Sequence, residues 1–542
     1  MIQRIQLYIN TIRYLKLVQI LYRLRRHIPT KLSILSSTPE LRDYQNPLLP
    51  GLPKPVSMTG ANSFTFLNFN DHLSPGENWS NAGNSHLWQY NLHYFDDLVA
   101  PQGKARRLWH NQFIDRWIKE QAFGSSPAWD AYPTSLRIVN WIKSHHAGNP
   151  LTSSAINSLA NQTHWLEKHI EWHLLGNHLF VNAKALVWAG CFFDGIEGER
   201  WMNKGLDILD QQIDQQILPD GGHFELSPMY HALILEDLLD LIALANCYDQ
   251  HSLSQRTELF KQKAQKMLTW LKIMSHPDGE ISFFNDAAFG IAHCVDDLET
   301  YALKLGIKIT QMPKGSLKSL PDSGYYRIDR GPFTILADLA EIGARYIPGH
   351  GHADCLSFEL SIDDFRVMVN GGTSIYCDGK YRQWERSTAS HNTVVVDGKN
   401  SSEIWSGFRV ARRALPSIKV LTDTLDETQI SASHNGYKRL KYKPVHHRNW
   451  ICNNRQIIIE DKVSPSHTYA VARFILHPHI SISRQESGQF ILKLPNGRTF
   501  LMELPHAEIK QCFYAPEFGK RQPTLVLEAP LIDGKCRAVL SL

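Results

Sequence analysis

Hydrophobic and polar positions follow two different periods along the 542 residues of this chain. Between about residues 83 and 305, apolar residues recur every three or four positions, and glycine, proline and polar breaks separate the runs. This pattern predicts a series of amphipathic helices. So many consecutive helices indicate an array or toroid of helix pairs, and the lack of a sequence repeat argues against a regular solenoid. The predicted helices cover residues 105–121, 134–145, 154–172, 179–193, 199–217, 230–248 and 258–274.

A linker rich in proline, glycine and serine at residues 312–324 marks a change to two-residue alternation. Short alternating runs separated by turn residues are typical of an all-β sandwich. We therefore predict an α+β multidomain protein: a basic helix and extended arm over 1–60, an (α/α) toroid over 61–312, and an antiparallel β-sandwich over 313–542. The cleft between the last two is the natural binding site. The predicted strands cover residues 325–328, 333–338, 357–362, 365–370, 391–396, 456–463, 470–476 and 537–542.

The first 26 residues resemble one basic amphipathic helix, which either packs on the main body or touches a membrane surface. Arg13, Lys16 and Gln19 interrupt its apolar run, so we recognise no secretory signal there. No stretch reaches about 18 uninterrupted apolar residues, and no transmembrane helix is expected.

The composition, with 43% hydrophobic and 20% charged residues, is that of a soluble globular protein. A net charge of +4 over this length gives no support to a nucleic-acid-binding protein. The eight cysteines form no CxxC pair and read as free buried thiols, which favours a reducing compartment. Fourteen tryptophans and 26 histidines are consistent with an aromatic, sugar-binding cleft, although most aromatic rings are expected in the core.

One run, Gly349-His350-Gly351-His352-Ala353-Asp354, concentrates candidate chemistry. The alternation of residues 355–360 behind it predicts a strand, in which His350, His352 and Asp354 would share one face. Such a face is an active-site edge or a set of metal ligands, and the alternative is a loop with two solvated histidines. His352 and the distant His391, with one more ligand, would complete a three-ligand zinc site.

Two helix starts carry further candidates. The helical pattern breaks at Gly176 and resumes near Asn177, so Asn177 is either a structural N-cap or, with His178, part of an anion-binding helix end facing the cleft. Ser227 and Pro228 predict the N-cap and first residue of another helix, with Tyr230 in its first turn. The positive helix end should lower the tyrosine pKa, which suits proton transfer; the alternative is a packed, hydrogen-bonded tyrosine.

At these residues the chain resembles the heparinase II/III-like polysaccharide lyases, which include heparin, alginate and oligoalginate lyases. The resemblance spans about residues 80–415 and implies an (α/α) toroid followed by a β-sandwich, with β-elimination at a uronic acid as the reaction. The matching stretches are Asn91-Leu92-His93-Tyr94-Phe95, Gly176-Asn177-His178, Ser227-Pro228-Met229-Tyr230-His231, residues 349–354, and Arg386-Ser387-Thr388-Ala389-Ser390-His391-Asn392-Thr393-Val394.

The resemblance implies catalytic roles for four residues. Asn177 would neutralise the uronate carboxylate, and Tyr230 would be the general acid, or also the base when proton and leaving group share one face. His178 and His350 would be the base or supporting neutralisers. Six other residues are candidates for lining the sugar groove: Asn91, His93, Tyr94, Arg137, Arg382 and Arg386. Of these, Arg382 and Arg386 are candidates for binding substrate carboxylates bidentately.

Zinc-bearing relatives hold the metal with histidines that match His352 and His391 and with an aspartate whose position here is Asn370. Asparagine is a neutral and poorer zinc ligand, so the resemblance implies at most one structural zinc, with Asp354 or Asp378 as substitute ligands. No other cofactor is expected.

The favoured interpretation is therefore a bacterial lyase for a uronate-containing anionic polysaccharide or oligosaccharide, working within an exopolysaccharide or capsule pathway. Without a recognised export signal, we expect it in the cytoplasm or at the inner membrane, with the periplasm left open. One alternative is a glycoside hydrolase that uses Glu225 with Asp130 or Asp286 as paired carboxylates. The other is a non-catalytic polysaccharide-binding or assembly protein on the same fold.

Overall fold

The computed structural model describes residues 2–26, 28, 33–80 and 83–542. Helices dominate up to residue 304, and antiparallel strands dominate after residue 317. The helices are α1 (Ile2–Ile12), α2 (Leu17–Arg25), α3 (His86–Tyr94), α4 (Arg107–Glu120), α5 (Ala131–His146), α6 (Ser153–Lys168), α7 (Gly176–Phe192), α8 (Gly195–Gln216), α9 (Pro228–Cys247), α10 (His251–Ser254), α11 (Thr257–Met274), α12 (Val295–Lys304) and α13 (Lys380–Glu385).

The strands are β1 (Met58–Gly60), β2 (Ser63–Phe66), β3 (Phe69–His72), β4 (Leu317–Leu320), β5 (Tyr325–Arg330), β6 (Phe333–Asp338), β7 (Phe358–Ile362), β8 (Phe365–Met368), β9 (Val394–Val396), β10 (Ile404–Trp405), β11 (Arg409–Val410), β12 (Pro416–Asp423), β13 (Thr428–His434), β14 (Val445–Cys452), β15 (Gln456–Ser464), β16 (Ala470–Ile475), β17 (Ser481–Arg484), β18 (Gln489–Lys493), β19 (Thr499–Glu503), β20 (Glu508–Glu517), β21 (Lys520–Pro530) and β22 (Lys535–Ser541). Short 3-10 turns lie at Asp96–Val99, Gly103–Arg106, Thr388–Ser390 and Gly436–Arg439.

The predicted succession of a helical region and an antiparallel sheet region is confirmed, and all seven predicted helices are present. The helix predicted over 154–172 ends at Lys168, because the chain turns before α7. The closed toroid and the domain boundaries stay predictions. The small sheet β1–β3, which spans the boundary placed at 60, was not predicted.

Two helices at the centre of the helical region are apolar on nearly all sides. In α7 every residue except His178 is buried, and α9 buries most of its length. A helix that is hydrophobic all round is a core helix, so α7 and α9 are fixed in position by their neighbours. Their N-termini carry Asn177 and Tyr230, which therefore sit on rigid supports.

The sheet region contains three main antiparallel sheets. Strands β4–β8 form a five-stranded meander, and β20-β21-β16-β9 form a four-stranded sheet. The largest sheet has the order β12-β13-β14-β15-β22-β19-β18-β17, so β22 lies in its middle, paired with β15 on one side and β19 on the other. Strand β14 buries alternate residues, which is the pattern of a sheet with one face in the core.

The helical and sheet regions share apolar contacts. The main helical cluster includes Val369, Tyr514 and Phe518 of the sheet region. A smaller cluster joins Trp270 of α11 to Tyr325 of β5. The two regions are therefore packed directly on each other rather than joined only by a flexible linker.

The N-terminal segment departs from the prediction of one helix. It forms two helices, because the chain leaves α1 after Ile12 and restarts α2 when the Gln19 side chain accepts a hydrogen bond from the Lys16 backbone at 2.9 Å. Among the residues that the structure describes, no helix is long and apolar enough to span a bilayer.

Candidate active site

A cleft of about 870 Å³ lies between the helical region and the sheet region. Asn177 and His178 from α7 and Tyr230 from α9 line it on one side, and His350 and Tyr376 from loops of the sheet region line it on the other. The four predicted catalytic residues thus share one cavity, although up to 173 positions separate them in the sequence (177 to 350). The N-termini of both central helices face this cavity, and their dipoles favour an anion there.

Asn177 is fixed by the buried carboxylate of Glu225. Its backbone nitrogen donates to Oε1 at 2.8 Å, and its Nδ2 lies 3.1 and 3.0 Å from Oε1 and Oε2. The prediction that Asn177 is an N-cap is wrong, because Leu175 occupies that position and α7 begins at Gly176. Gly176 has φ of +60°, and a Cβ there would lie 2.4 Å from Glu225, so only glycine allows this approach.

Tyr230 meets two residues of the sheet region. Its ring packs on the His350 ring with centroids 3.9 Å apart, and its hydroxyl lies 3.2 Å from the hydroxyl of Tyr376. The predicted cap of α9 is confirmed, since Ser227 Oγ accepts the Tyr230 backbone N–H at 3.2 Å. The tyrosine is thus held at both ends, by its backbone and by its ring.

The prediction of a lowered Tyr230 pKa is wrong. Burial raises the pKa well above its usual value, and the neighbouring Tyr132, Asp286 and Glu225 oppose ionisation further. Together these effects on the pKa outweigh the lowering expected from the positive end of the helix, because transferring a phenolate out of water costs much free energy. A hydroxyl with a raised pKa keeps its proton at neutral pH and can donate it. This favours the role of general acid for Tyr230 over the role of general base.

Asp286 organises the histidines of the sheet side. Its Oδ2 lies 2.9 Å from His350 Nδ1, and its Oδ1 lies 2.8 Å from His352 Nε2. Burial alone would raise the pKa of Asp286, but the Arg382 guanidinium and the two histidines hold that pKa well below its usual range. The Asp286 carboxylate therefore fixes the His350 ring and favours the tautomer with a proton on Nδ1. In that tautomer Nε2, which lies 3.6 Å from Glu225, is the nitrogen that can accept a proton.

The expectation that His350, His352 and Asp354 share one strand face is wrong, because strand β7 begins only at Phe358. The segment is a loop, held by hydrogen bonds from the Asp286 backbone to His350 O and from the His352 backbone to Asn285 Oδ1. His350 and His352 nevertheless converge, because both reach Asp286. Asp354 separates from them and accepts a hydrogen bond from the Asn285 backbone.

His178 reaches the cleft from the first turn of α7. Its Nδ1 lies 3.2 Å from Glu171, and its ring packs on Tyr132 with centroids 4.6 Å apart. Burial alone would lower the pKa of His178, but the carboxylates of Glu171 and Glu225 outweigh burial and raise it. The residue is therefore better suited to neutralising an anion than to accepting a proton.

Of the predicted groove residues in the helical region, Asn91 and Tyr94 line the cleft and two do not. His93 is fully buried, where its Nδ1 accepts the Trp117 indole N–H at 3.2 Å. Arg137 is fully buried too, and it donates to Gln162 at 2.8 Å and to the carbonyl of His93 at 3.1 Å. The substrate-binding prediction for His93 and Arg137 is contradicted, because both side chains lie inside the core and do not line the cleft.

The geometry also contradicts carboxylate binding by Arg382 and Arg386. Both side chains are fully buried. Arg382 directs its two terminal nitrogens at Asp286, and Arg386 donates to the backbone carbonyls of Gly351, Ser406 and Gly407. Their guanidinium groups support the loops around the site and have no donor directed into the cleft.

The predicted zinc ligands do not fit a metal. His352 Nδ1 lies 3.1 Å from His391 Nε2, but Asn370 uses its amide to donate to Phe283 O and to accept from the Asn392 backbone. The described residues contain no group of three His, Cys, Asp or Glu side chains that could hold a metal ion. The Arg382 guanidinium already neutralises the Asp286 carboxylate, which lies next to His352.

Sequence reasoning missed Tyr376 and the positioning roles of Glu225 and Asp286. Tyr376 follows the Gly371-Gly372 turn, next to the metal position that the family resemblance implied, and its hydroxyl lies 3.2 Å from the Tyr230 hydroxyl and 3.4 Å from His350 Nδ1. Deeper in the cleft, Lys143 and Lys184 both donate to Asp240 at 2.6 Å, which adds a buried ionic floor.

Comparison with known proteins decides the family. The profile described as the heparinase II/III N-terminus matches residues 102–302, and the one described as heparinase II/III-like, C-terminal, matches residues 312–536. The chain belongs to the heparinase II/III-like family. The two matches meet at the change from helices to strands, and they include all four predicted catalytic residues.

The proteins that are similar in sequence are distant. The heparin-sulfate lyase of Bacteroides stercoris is 23% identical over 483 residues, which cover 78% of this chain and 69% of that protein. The FtsZ-localized protein C of Caulobacter vibrioides (strain NA1000 / CB15N) is 25% identical over 350 residues, which cover 62% of this chain and 56% of that protein. A crystal structure of heparinase III has a TM-score of 0.70 at 17% identity and covers 86% of this chain and 79% of that one, which confirms the fold.

Proposed function

We propose that this heparinase II/III-like protein is a polysaccharide lyase that cleaves a uronic-acid-containing anionic polysaccharide by β-elimination. One observation carries the proposal: the Tyr230 hydroxyl, the His350 ring oriented by Asp286 and the Asn177 amide face one cleft. The heparin-sulfate lyase relatives support the same reaction class.

The reaction removes the C5 proton of a uronate, which is weakly acidic because it lies next to a carboxylate. Asn177 and the N-termini of α7 and α9 would stabilise the charge that develops on that carboxylate. His350 would accept the C5 proton at Nε2. The electrons of the C5–H bond form the C4–C5 double bond as the C4–O bond breaks, and Tyr230 protonates the leaving glycosidic oxygen.

The hydrolase alternative needs two carboxyl groups across the glycosidic bond. Glu225 is committed to Asn177, and Asp286 is committed to Arg382, His350 and His352. Asp130 accepts hydrogen bonds from Tyr90 at 2.7 Å and Ser126 at 3.0 Å. All three candidate carboxylates thus have structural partners, which favours the lyase.

We further propose that the lyase works in the production or editing of an exopolysaccharide or capsule polymer, in the cytoplasm or at the inner membrane of a bacterium, with the periplasm left open. The basic N-terminal segment supports this placement, because it is suited to an anionic surface. The polymer itself is then made by the same cell rather than taken up as food.

The test is an ultraviolet assay for unsaturated uronate ends on alginate, glycosaminoglycans, glucuronans and the host exopolysaccharide. We expect a signal on at least one polymer, and a loss of about 10²–10⁴-fold in Tyr230→Phe, the range for general acid catalysis. Tyr346→Phe, which removes another cleft hydroxyl without touching the Tyr230 cluster, is the matched control. New reducing ends without unsaturation would establish hydrolysis, and polymer binding without cleavage would establish the non-catalytic alternative.

A further inference from the structure

The two N-terminal helices carry exposed apolar stripes. On α1 the stripe recurs every three or four residues, and on α2 it recurs in the same way, so each stripe covers one helix face. Half or more of the surface of each of these side chains is in contact with water: Ile5 50%, Ile9 61%, Ile12 50%, Leu17 69%, Leu21 54% and Leu24 63%.

The opposite face of α2 buries a polar residue. Gln19 is 1% exposed, and its Nε2 donates to the carbonyls of Leu174 and Tyr346 at 3.2 Å each. At 100° per residue, Gln19 points about 140–160° away from Leu17, Leu21 and Leu24. The exposed leucine stripe therefore lies on the side of α2 that faces away from the protein body.

Contacts with the sheet region fix this orientation. Thr11 donates to the carbonyl of Val410 at 3.3 Å and accepts the Trp405 indole N–H at 3.1 Å. The Lys16 ammonium lies 3.8 Å from the centre of the Tyr346 ring. Both helices are thus anchored through their polar and aromatic groups, and turning the leucines inward would break these contacts.

The charge around the stripes has one sign. Residues 1–39 contain seven arginines and lysines and no acidic residue, whereas the whole chain has a net charge of only +4. A second copy of this chain would bring the same positive charge to the contact, which opposes self-association. A basic rim around an aliphatic stripe complements an anionic lipid surface.

We propose that α1 and α2 dock the protein on an anionic lipid bilayer, with Leu17, Leu21 and Leu24 entering the boundary between headgroups and acyl chains. Thr11, Gln19 and Arg23 of the same helices, and Leu15 in the turn between them, also line the cleft. Docking therefore holds the cleft mouth next to the lipid surface. This inference does not depend on lyase activity, because it rests on the N-terminal helices alone.

Vesicle flotation of the full chain tests it. We expect binding to vesicles of phosphatidylcholine mixed with phosphatidylglycerol, weaker binding to phosphatidylcholine alone, and a decline with added salt. The triple variant Leu17→Ser, Leu21→Ser and Leu24→Ser should lower the partition coefficient at least tenfold, on the order expected for losing three apolar anchors. Flotation of the triple variant at the wild-type level, or no flotation of the wild type, would overturn the proposal.

Matched control variants distinguish docking through α1 and α2 from nonspecific hydrophobic adsorption to the vesicles. Ile196→Ser, Leu303→Ser and Leu425→Ser replace side chains that are 80%, 59% and 96% exposed elsewhere on the surface, and they should leave flotation unchanged. Arg4→Gln with Arg25→Gln should weaken binding to anionic vesicles by about fivefold per charge. Sedimentation of the wild type in the absence of lipid should give a monomer, and a dimer that the triple leucine variant dissociates would overturn the lipid assignment.

Discussion

Glu225→Gln separates a positioning carboxylate from a catalytic one. The Glu225 side chain accepts hydrogen bonds from the Asn177 backbone and amide and lies 3.6 Å from His350 Nε2. Glutamine has nearly the same shape, and its single oxygen can still accept the backbone N–H. Its amide nitrogen then replaces the oxygen that faces the Asn177 amide, so one charge-assisted hydrogen bond becomes a contact between two donors.

The magnitude follows from that single loss. A hydrogen bond to a charged group contributes about 1.5–3 kcal/mol. If Glu225 only holds Asn177 in place, the barrier should rise by a similar amount, which is about a 10- to 150-fold fall in kcat/KM. The loss of buried hydrogen bonding should also lower the denaturation midpoint.

The assay is the initial rate of unsaturated uronate formation, with denaturation midpoints measured in parallel. Glu359→Gln is the matched control, because Glu359 is also fully buried and accepts from the Phe283 and Asn370 backbones at 2.9 and 2.8 Å but does not line the cleft. It should lose stability and keep its rate. A loss above about 10⁴-fold in folded Glu225→Gln would mean that the carboxylate itself transfers protons, and an unchanged rate would mean that its contact with Asn177 is irrelevant to catalysis.

Three further predictions concern the support of the site. Arg382→Ala leaves the buried Asp286 carboxylate without its cation and should lower the free energy of unfolding, measured by chemical denaturation, by about 3–5 kcal/mol. Replacing an exposed arginine in Arg107→Ala should change it by almost nothing. Equal denaturation midpoints for the two variants would refute the stabilising ion pair. Because no three-ligand set surrounds His352 among the described residues, treatment with a chelator should leave the melting temperature and rate unchanged, and a shift restored by zinc would contradict this. Burial raises the pKa of Asp354 from 3.8 to about 7, so its contribution to stability is complete below pH 3.8 and is lost as the pH rises through 7. Asp354→Asn should flatten that decline in a pH series of denaturation midpoints, and an unchanged slope would contradict the assignment.

The features that sequence predicted well depend on near neighbours. Ser227 and Pro228 specify the start of α9 through a hydrogen bond that spans only three residues. The strand at Phe333–Asp338 was placed at its observed limits, because alternation and flanking turns are also local signals.

The features that sequence missed depend on distant neighbours. An arginine has the same local sequence whether it faces a cleft or a buried partner, and Arg382 meets Asp286 across 96 positions. The helix-end argument for Tyr230 was sound as local physics, but it could not include the burial of the side chain or the electrostatic effect of Tyr132, Asp286 and Glu225 on its pKa. The four catalytic candidates were identified through family motifs, whereas Tyr376, which no motif marked, needed the structure.

The central position of β22 has a consequence for biosynthesis. Strand β15 cannot complete its hydrogen bonding until residues 535–541 have left the ribosome, because β22 separates it from β19. The Tyr376 ring packs against Phe518, with ring centroids 4.8 Å apart. The sheet side of the cleft is therefore also incomplete until the segment that contains Phe518 has been synthesised. A nascent chain with a finished helical region would therefore hold Asn177 and Tyr230 without their partners. The active site would therefore stay incomplete until translation had passed the final strand of the largest sheet.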